Sequence, residues 1–232
     1  MKPKSIFLIR HGESAGNVDK SVYKTVPDWK VPLTQRGIEQ AIEAGRKLYK
    51  LLDVENYYIN SVRNTTFGSL PYRKLVQFYS SPWYRSRQTT ANIKIGMDLI
   101  HEEVKEDPRI REQEWGNFQE THLQEKVKNE RRQYGSFFYR MPHGESGADV
   151  FDRVTTFIET LHRDFEKEKF PSNLIISTHG LTIKLFFMRW FHWTVEEFEQ
   201  YDTPDNCEIF QMDLQGDNRY KLMTDLKVYA EP

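Results

Sequence analysis

Cysteine is almost missing from this chain of 232 residues. The single one, Cys207, excludes an intramolecular disulfide and any multi-cysteine zinc or iron–sulfur site. An excess of one charge is also missing: 33 Lys+Arg stand against 34 Asp+Glu. A balanced chain has no overall attraction to nucleic acid or to an anionic membrane, so charge-driven recognition must be local. Long apolar runs are lacking too. The run Ile6-Phe7-Leu8-Ile9 stops at Arg10, too short for a signal-peptide core. Residues 181–193 are interrupted by Lys184 and Arg189, and the stretch is too short to span a bilayer. The expected location is therefore cytoplasmic, with no membrane or nucleic-acid partner, and the sequon Asn64-Thr65-Thr66 reads as chance. Repeats and low-complexity tracts are absent.

What is present suits a packed globular domain: 38% of residues are hydrophobic and 14% aromatic. Apolar runs alternate with stretches of helical period, which implies an α/β fold with a mainly parallel sheet. Strands are expected at 5–9, 75–79 and 174–177, with a short one before Arg109 and two closing strands at 207–214 and 220–229. Helices are expected at 33–52, capped by Thr34, and at 84–99, 147–165 and 181–191. Residues 1–232 thus read as one domain, a three-layer α/β/α sandwich. Two stretches break the alternation: 57–74 reads as a surface insertion, and 120–146 as a small cap over the sheet's C-terminal edge. Phe137-Phe138-Tyr139 would dock that cap on the core. Cys207 is expected in an apolar strand, and His101, His122, His162 and His192 have no ligand spacing.

One pattern occurs twice. A buried strand ends in His11-Gly12, and another ends in His179-Gly180, 168 positions later. Parallel strands deliver their C-terminal ends to one edge, where α/β proteins bind ligands. The strand at 75–79 would bring Arg85 to that edge, and Arg10 adjoins His11. Two imidazoles and two guanidiniums suit a phosphoryl group, which arginine binds through paired hydrogen bonds. A histidine attacks phosphorus only when neutral at the attacking nitrogen. Its other nitrogen must then donate, for example to a backbone carbonyl. Gly12 would let the backbone approach the ligand, and the helices after each His-Gly would offer free amides to the anion. A proton for the leaving group would come from Glu112 or Glu114. Burial against Trp115 would raise such a carboxyl's pKa, while nearby arginines would lower it. Metal chemistry is not expected: there is no HExxH and no Asp/His cluster, and two arginines would repel a cation.

These residues resemble a known family. Arg10-His11-Gly12-Glu13-Ser14 resembles the RHGE signature of the histidine phosphatase, or phosphoglycerate mutase-like, superfamily. Leu33–Ala41, Ser81–Thr89 and Ser177–Gly180 resemble its LTxxGxxQA, SPxxRxxQT and second-histidine segments. Residues 135–146 resemble a GRFFYRxPxGES-type segment of a plant and fungal subgroup, with His143 at a position where the family has another residue. The resemblance implies that His11 becomes a phosphohistidine and that Arg10, Arg85 and His179 contact the phosphoryl group. Its ExxxG pattern places the acid on Glu112 and not Glu114. Ser14 and Asn17 line the pocket by the same matching; Gly180, at the start of the second helix, is a further candidate for substrate binding, and Arg131 and Arg132 either bind a second substrate anion or belong to a solvated helix face. The implied activity is phosphomonoester hydrolysis without a cofactor, on a small phosphorylated substrate or a phosphoprotein; a homo-oligomer is left open. The alternative is a phosphoglycerate mutase that uses 2,3-bisphosphoglycerate. The short cap, which lacks a proline run, and Gly144-Glu145-Ser146 favour the phosphatase.

Overall fold

The computed structural model describes residues 2–57, 74–116 and 121–229, with the side chains of 121–125 left aside. The expected insertion at 57–74, including Asn64, thus lies almost wholly outside the described residues, as does the side chain of His122. Six strands form one sheet in the order β3-β2-β4-β1-β5-β6. They are β1 (Ser5–Arg10), β2 (Val76–Ser80), β3 (Val104–Glu106), β4 (Asn173–Thr178), β5 (Ile209–Leu214) and β6 (Tyr220–Leu222). The first four run parallel, and β5 and β6 close the edge antiparallel.

Alternation along the strands explains the three layers. Ile6 and Leu8 of β1 join one core cluster, while Phe7 and Ile9 join the other. Strand β4 divides likewise, with Leu174 and Ile176 on one side and Ile175 on the opposite side. Among the described residues, α1 (Ala15–Val18), α2 (Gln35–Leu51) and α3 (Tyr84–Gly96) come first. They are followed by α4 (Thr121–Tyr134), α5 (Gly147–Phe165), α6 (Gly180–Phe191) and α7 (Val195–Gln200). Helices α2 and α3 cover one face through Ala41, Leu48 and Ile93, and α5 and α6 cover the other through Val154, Phe157 and Phe186. Thr34 caps α2 by accepting from the Gly37 amide. Ser146 and Asp149 form a reciprocal capping box at α5.

Phe137 is buried against Phe151 and Phe198, which fixes the segment after α4 to the core; Phe138, expected to share in this, is exposed. Two strand expectations change. Strand β6 ends at Leu222, and among the described residues beyond it only an isolated bridge joins Val228 to Tyr201. Cys207 precedes β5 in a turn at φ 55°, with its amide donating to the Arg10 carbonyl. No helix among the described residues is long and apolar enough to cross a membrane.

Candidate active site

The neighbouring ends of β1, β4 and β2 build the site. The His11 amide donates to the Thr178 carbonyl, and the Ser81 amide to the Ser177 carbonyl, so the three strand exits are tied together. The two imidazoles stand edge to face with centroids 5.2 Å apart.

His11 is buried and orients itself. Its Nδ1–H donates to the Gly12 carbonyl at 2.8 Å, which leaves the lone pair on Nε2. Arg85 Nε–H approaches that nitrogen at 3.3 Å. Burial first, then the charges of Arg85 and Arg10, hold the His11 pKa well below the ordinary imidazole value. The ring is therefore neutral and nucleophilic at Nε2. Arg85 is itself aimed from outside: its Nη1 donates to both the carboxylate and the carbonyl of Asp28, each at 2.8 Å. Its guanidinium also lies 4.7 Å from the centre of the Trp83 ring.

His179 is fully buried, and its Nε2 shares a 2.8 Å hydrogen bond with Ser81 Oγ. Ser81 Oγ also accepts from the Trp83 amide. His179 Nδ1 is buried with no hydrogen-bond partner; in the tautomer that carries the hydrogen on Nδ1, Ser81 Oγ donates to Nε2. Burial, Arg85 and His11 lower this pKa too.

Glu112 Oε2 lies 3.6 Å from His179 Nδ1. Burial raises the Glu112 pKa; Arg85 and the Gln113 amide oppose the shift without cancelling it. Its segment is held from behind. Arg153 of α5 donates to the carbonyls of Arg109, Arg111 and Glu112, and pairs with Glu145. Gly116 follows at φ +77°, and Pro142 O stands 2.2 Å from where a Cβ would be, so only glycine fits this turn. Glu114 lines the outer cavity and is exposed.

A cavity of about 600 Å³ opens over these groups, lined by Arg10, His11, Ser14, Asn17, Arg85 and Glu112 among others. Arg10 Nη1 donates to the Pro204 carbonyl, while its buried Nε has no partner. Asn17 Oδ1 accepts from the amide and hydroxyl of Ser14. Gly180 lies beside Arg10 Nε and not on the cavity wall. Arg131 stacks over Trp115 and reaches Gln113, and Arg132 is exposed; neither lines the cavity.

Three expectations change. Gly12 packs closely on α2 and not on a ligand: an added Cβ would meet Gly37 O at 2.4 Å. The amides after His11 are not free. Gly12 donates to Thr89, Glu13 to Gln40, Ser14 to Asn17 and Ala15 to Pro32. A His/carboxylate cluster does exist, because donor atoms of His11, Glu112 and His179 lie within 4.8 Å of one another. It suits proton and phosphoryl chemistry better than a cation, since the Arg85 guanidinium stands beside His11 Nε2 and burial raises the Glu112 pKa. Sequence reasoning did not find Asp28, Ser81 or Arg153 as supports. Ser81 lay within a quoted motif; Asp28 and Arg153 carried no local signal.

A family model for the histidine phosphatase superfamily, branch 1, matches residues 6–61 and 64–225. The chain belongs to this superfamily. Among its histidine phosphatase relatives is a phosphoglycerate mutase-like protein of Arabidopsis thaliana. It is 43% identical over 227 residues, covering 95% of this chain and 77% of the relative. A broad-range acid phosphatase of Saccharomyces cerevisiae is 32% identical, with 99% and 91% covered. These two relatives agree with the plant and fungal subgroup. A solved mycobacterial glucosyl-3-phosphoglycerate phosphatase shares the fold, with TM-score 0.67, 19% identity, and 98% and 100% covered.

Proposed function

We propose that this chain is a phosphomonoesterase working through a phosphohistidine on His11. The observation that carries the reading is the His11 ring, neutral, with Nδ1–H held by Gly12 and Nε2 presented beside Arg85. Nε2 attacks phosphorus as the P–O ester bond breaks. Arg10, Arg85 and His179 Nδ1–H neutralise the three non-bridging oxygens. Glu112 passes its proton to the departing alkoxide. The resulting carboxylate then takes a proton from water, whose oxygen attacks phosphorus and breaks the P–N bond. Phosphate leaves, and His11 and Glu112 return to their starting states. No step calls for a cofactor, and a small phosphorylated molecule fits the cavity. Residues 1–232 act as one domain in this reading, with 120–146 as its cap and a cytoplasmic setting.

A mutase reading with 2,3-bisphosphoglycerate would use Arg131 and Arg132 as ligands, and their positions off the cavity wall support hydrolysis instead. The test is product analysis with 3-phosphoglycerate and catalytic 2,3-bisphosphoglycerate. Release of inorganic phosphate is expected; fast isomerisation to 2-phosphoglycerate with little phosphate release would establish the mutase.

A further inference from the structure

The turn that leads into β5 closes over the end of β1. The Arg10 amide donates to the Glu208 carbonyl at 3.4 Å, the Cys207 amide to the Arg10 carbonyl at 3.1 Å, and Arg10 Nη1 to the Pro204 carbonyl. From the same turn the half-buried Asn206 side chain crosses to the nucleophile's own backbone. Its Nδ2 lies 3.0 Å from the His11 carbonyl and 3.4 Å from Asn17 Oδ1. The neighbours decide which end of this amide faces them. The His11 carbonyl can only accept. Asn17 Oδ1 is identified by the Ser14 backbone amide, which can only donate and lies 2.9 Å away. Two acceptors call for a donor, so Asn206 presents its NH2 group, with one hydrogen for each.

Each bond has a mechanical consequence. The His11–Gly12 peptide is held at both ends. Asn206 binds its carbonyl, which the Cys207 amide also approaches at 3.4 Å, and Thr89 Oγ1 takes its N–H at 3.0 Å. The Gly12 carbonyl, next along the chain, accepts from His11 Nδ1–H. The tilt of that peptide therefore sets where Nε2 points. On the other side, Asn17 Oδ1 is filled by the Ser14 amide, the Ser14 hydroxyl and Asn206. Asn17 lines the cavity, and its NH2 group has no partner among the described residues. With the oxygen tied back, the NH2 end is the one left to donate to a bound anion.

We infer that Asn206 is a positioning residue for phosphoryl transfer: its one NH2 group sets the direction of the His11 ring and of the Asn17 amide together. This rests on the phosphatase reading above. Steady-state assays and calorimetric titration of the full chain would compare the natural protein with Asn206→Leu, which keeps the side chain's shape and removes both donors, and with Asn206→Ala. In each variant kcat for nitrophenyl phosphate should fall about tenfold, the loss of a pair of neutral hydrogen bonds, with KM little changed. The Kd of vanadate, which takes up the five-coordinate geometry of transferring phosphorus, should rise by a similar factor, and that of inorganic phosphate far less. A residue needed only for stability would lower the melting temperature and the active fraction without separating vanadate from phosphate. Melting curves accompany both variants, and Asn206→Ala supplies the same readouts if the leucine variant unfolds. Joined to Asn17→Ala, Asn206→Ala should cost less than the product of the two single losses, because the two side chains share a bond. A natural kcat in both Asn206 variants would overturn the inference, as would equal weakening of vanadate and phosphate, or independent losses in the double variant. Vanadate binding that depends on Asn206 in this way, in a chain that hydrolyses no phosphate ester, would instead count against the phosphatase reading alone.

Discussion

His11 and His179 end the same local pattern, a buried parallel strand followed by His-Gly, yet opposite ring nitrogens are engaged. His11 uses Nδ1 on its own Gly12 carbonyl and presents Nε2 to Arg85. His179 uses Nε2 on Ser81 and leaves Nδ1 facing Glu112. The strand and glycine place both rings at one edge; partners from other elements decide which nitrogen works and how. In the proposed reaction one ring is the nucleophile and the other a donor to the phosphoryl oxygens.

The sharpest break of this asymmetry is His11→Ala. It should lower kcat by on the order of 10⁴–10⁶, since it removes the attacking nitrogen. His179→Ala should cost roughly 10²–10³, as expected for removing one donor to developing charge. Steady-state assays with nitrophenyl phosphate read both, and equal losses would contradict the division of roles.

Glu112→Gln should slow turnover about 10²-fold for alkyl phosphates, and much less for nitrophenyl phosphate, whose leaving group needs no proton. The pH profile gives the signs. His11 must be neutral, so activity falls as pH drops through its pKa, which lies well below 6.5. Glu112 must be protonated, so activity falls as pH rises through its pKa, which lies above 4.5. A bell-shaped profile is expected, and Glu112→Gln should abolish the alkaline limb. An unchanged limb in that variant would reassign the acid.

Smaller effects are expected from the supports. Asp28→Asn should weaken the hold on Arg85 and lower kcat about tenfold, the loss of a charge-assisted bond. Because Asp28 also helps raise the Glu112 pKa, the alkaline limb should move to lower pH. Ser81→Ala should cost about fivefold, one neutral hydrogen bond to His179. An effect larger than that of His179→Ala would show that Ser81 does more than set the ring.

Much of this site is legible in the sequence because its parts are local. His11 and His179 each follow an apolar strand, and parallel strands must share an edge. Thr34, Ser146 and the stripe of α5 carry their own signals in capping and period. Asp28 and Arg153 do not, because their roles depend on elements distant in sequence. The taken amides of Gly12, Glu13 and Ala15 are equally hidden, since Thr89, Gln40 and Pro32 are their partners. Cys207 misread as strand because an apolar run does not reveal a left-handed turn at its start. For Arg131 and Arg132 the sequence leaves a ligand role and a solvated helix face equally open, because charge alone does not show that Arg131 packs on Trp115.

The central claim is that identical His-Gly endings have been given different chemistry, and trapping the intermediate tests it most directly. The full chain would be mixed briefly with a labelled phosphate ester, quenched in alkali to preserve phosphohistidine, and mapped by peptide mass spectrometry. Label on His11 Nε2 is predicted, persisting at reduced yield in His179→Ala and absent in His11→Ala. Label on His179, or turnover in His11→Ala at the natural rate, would contradict it.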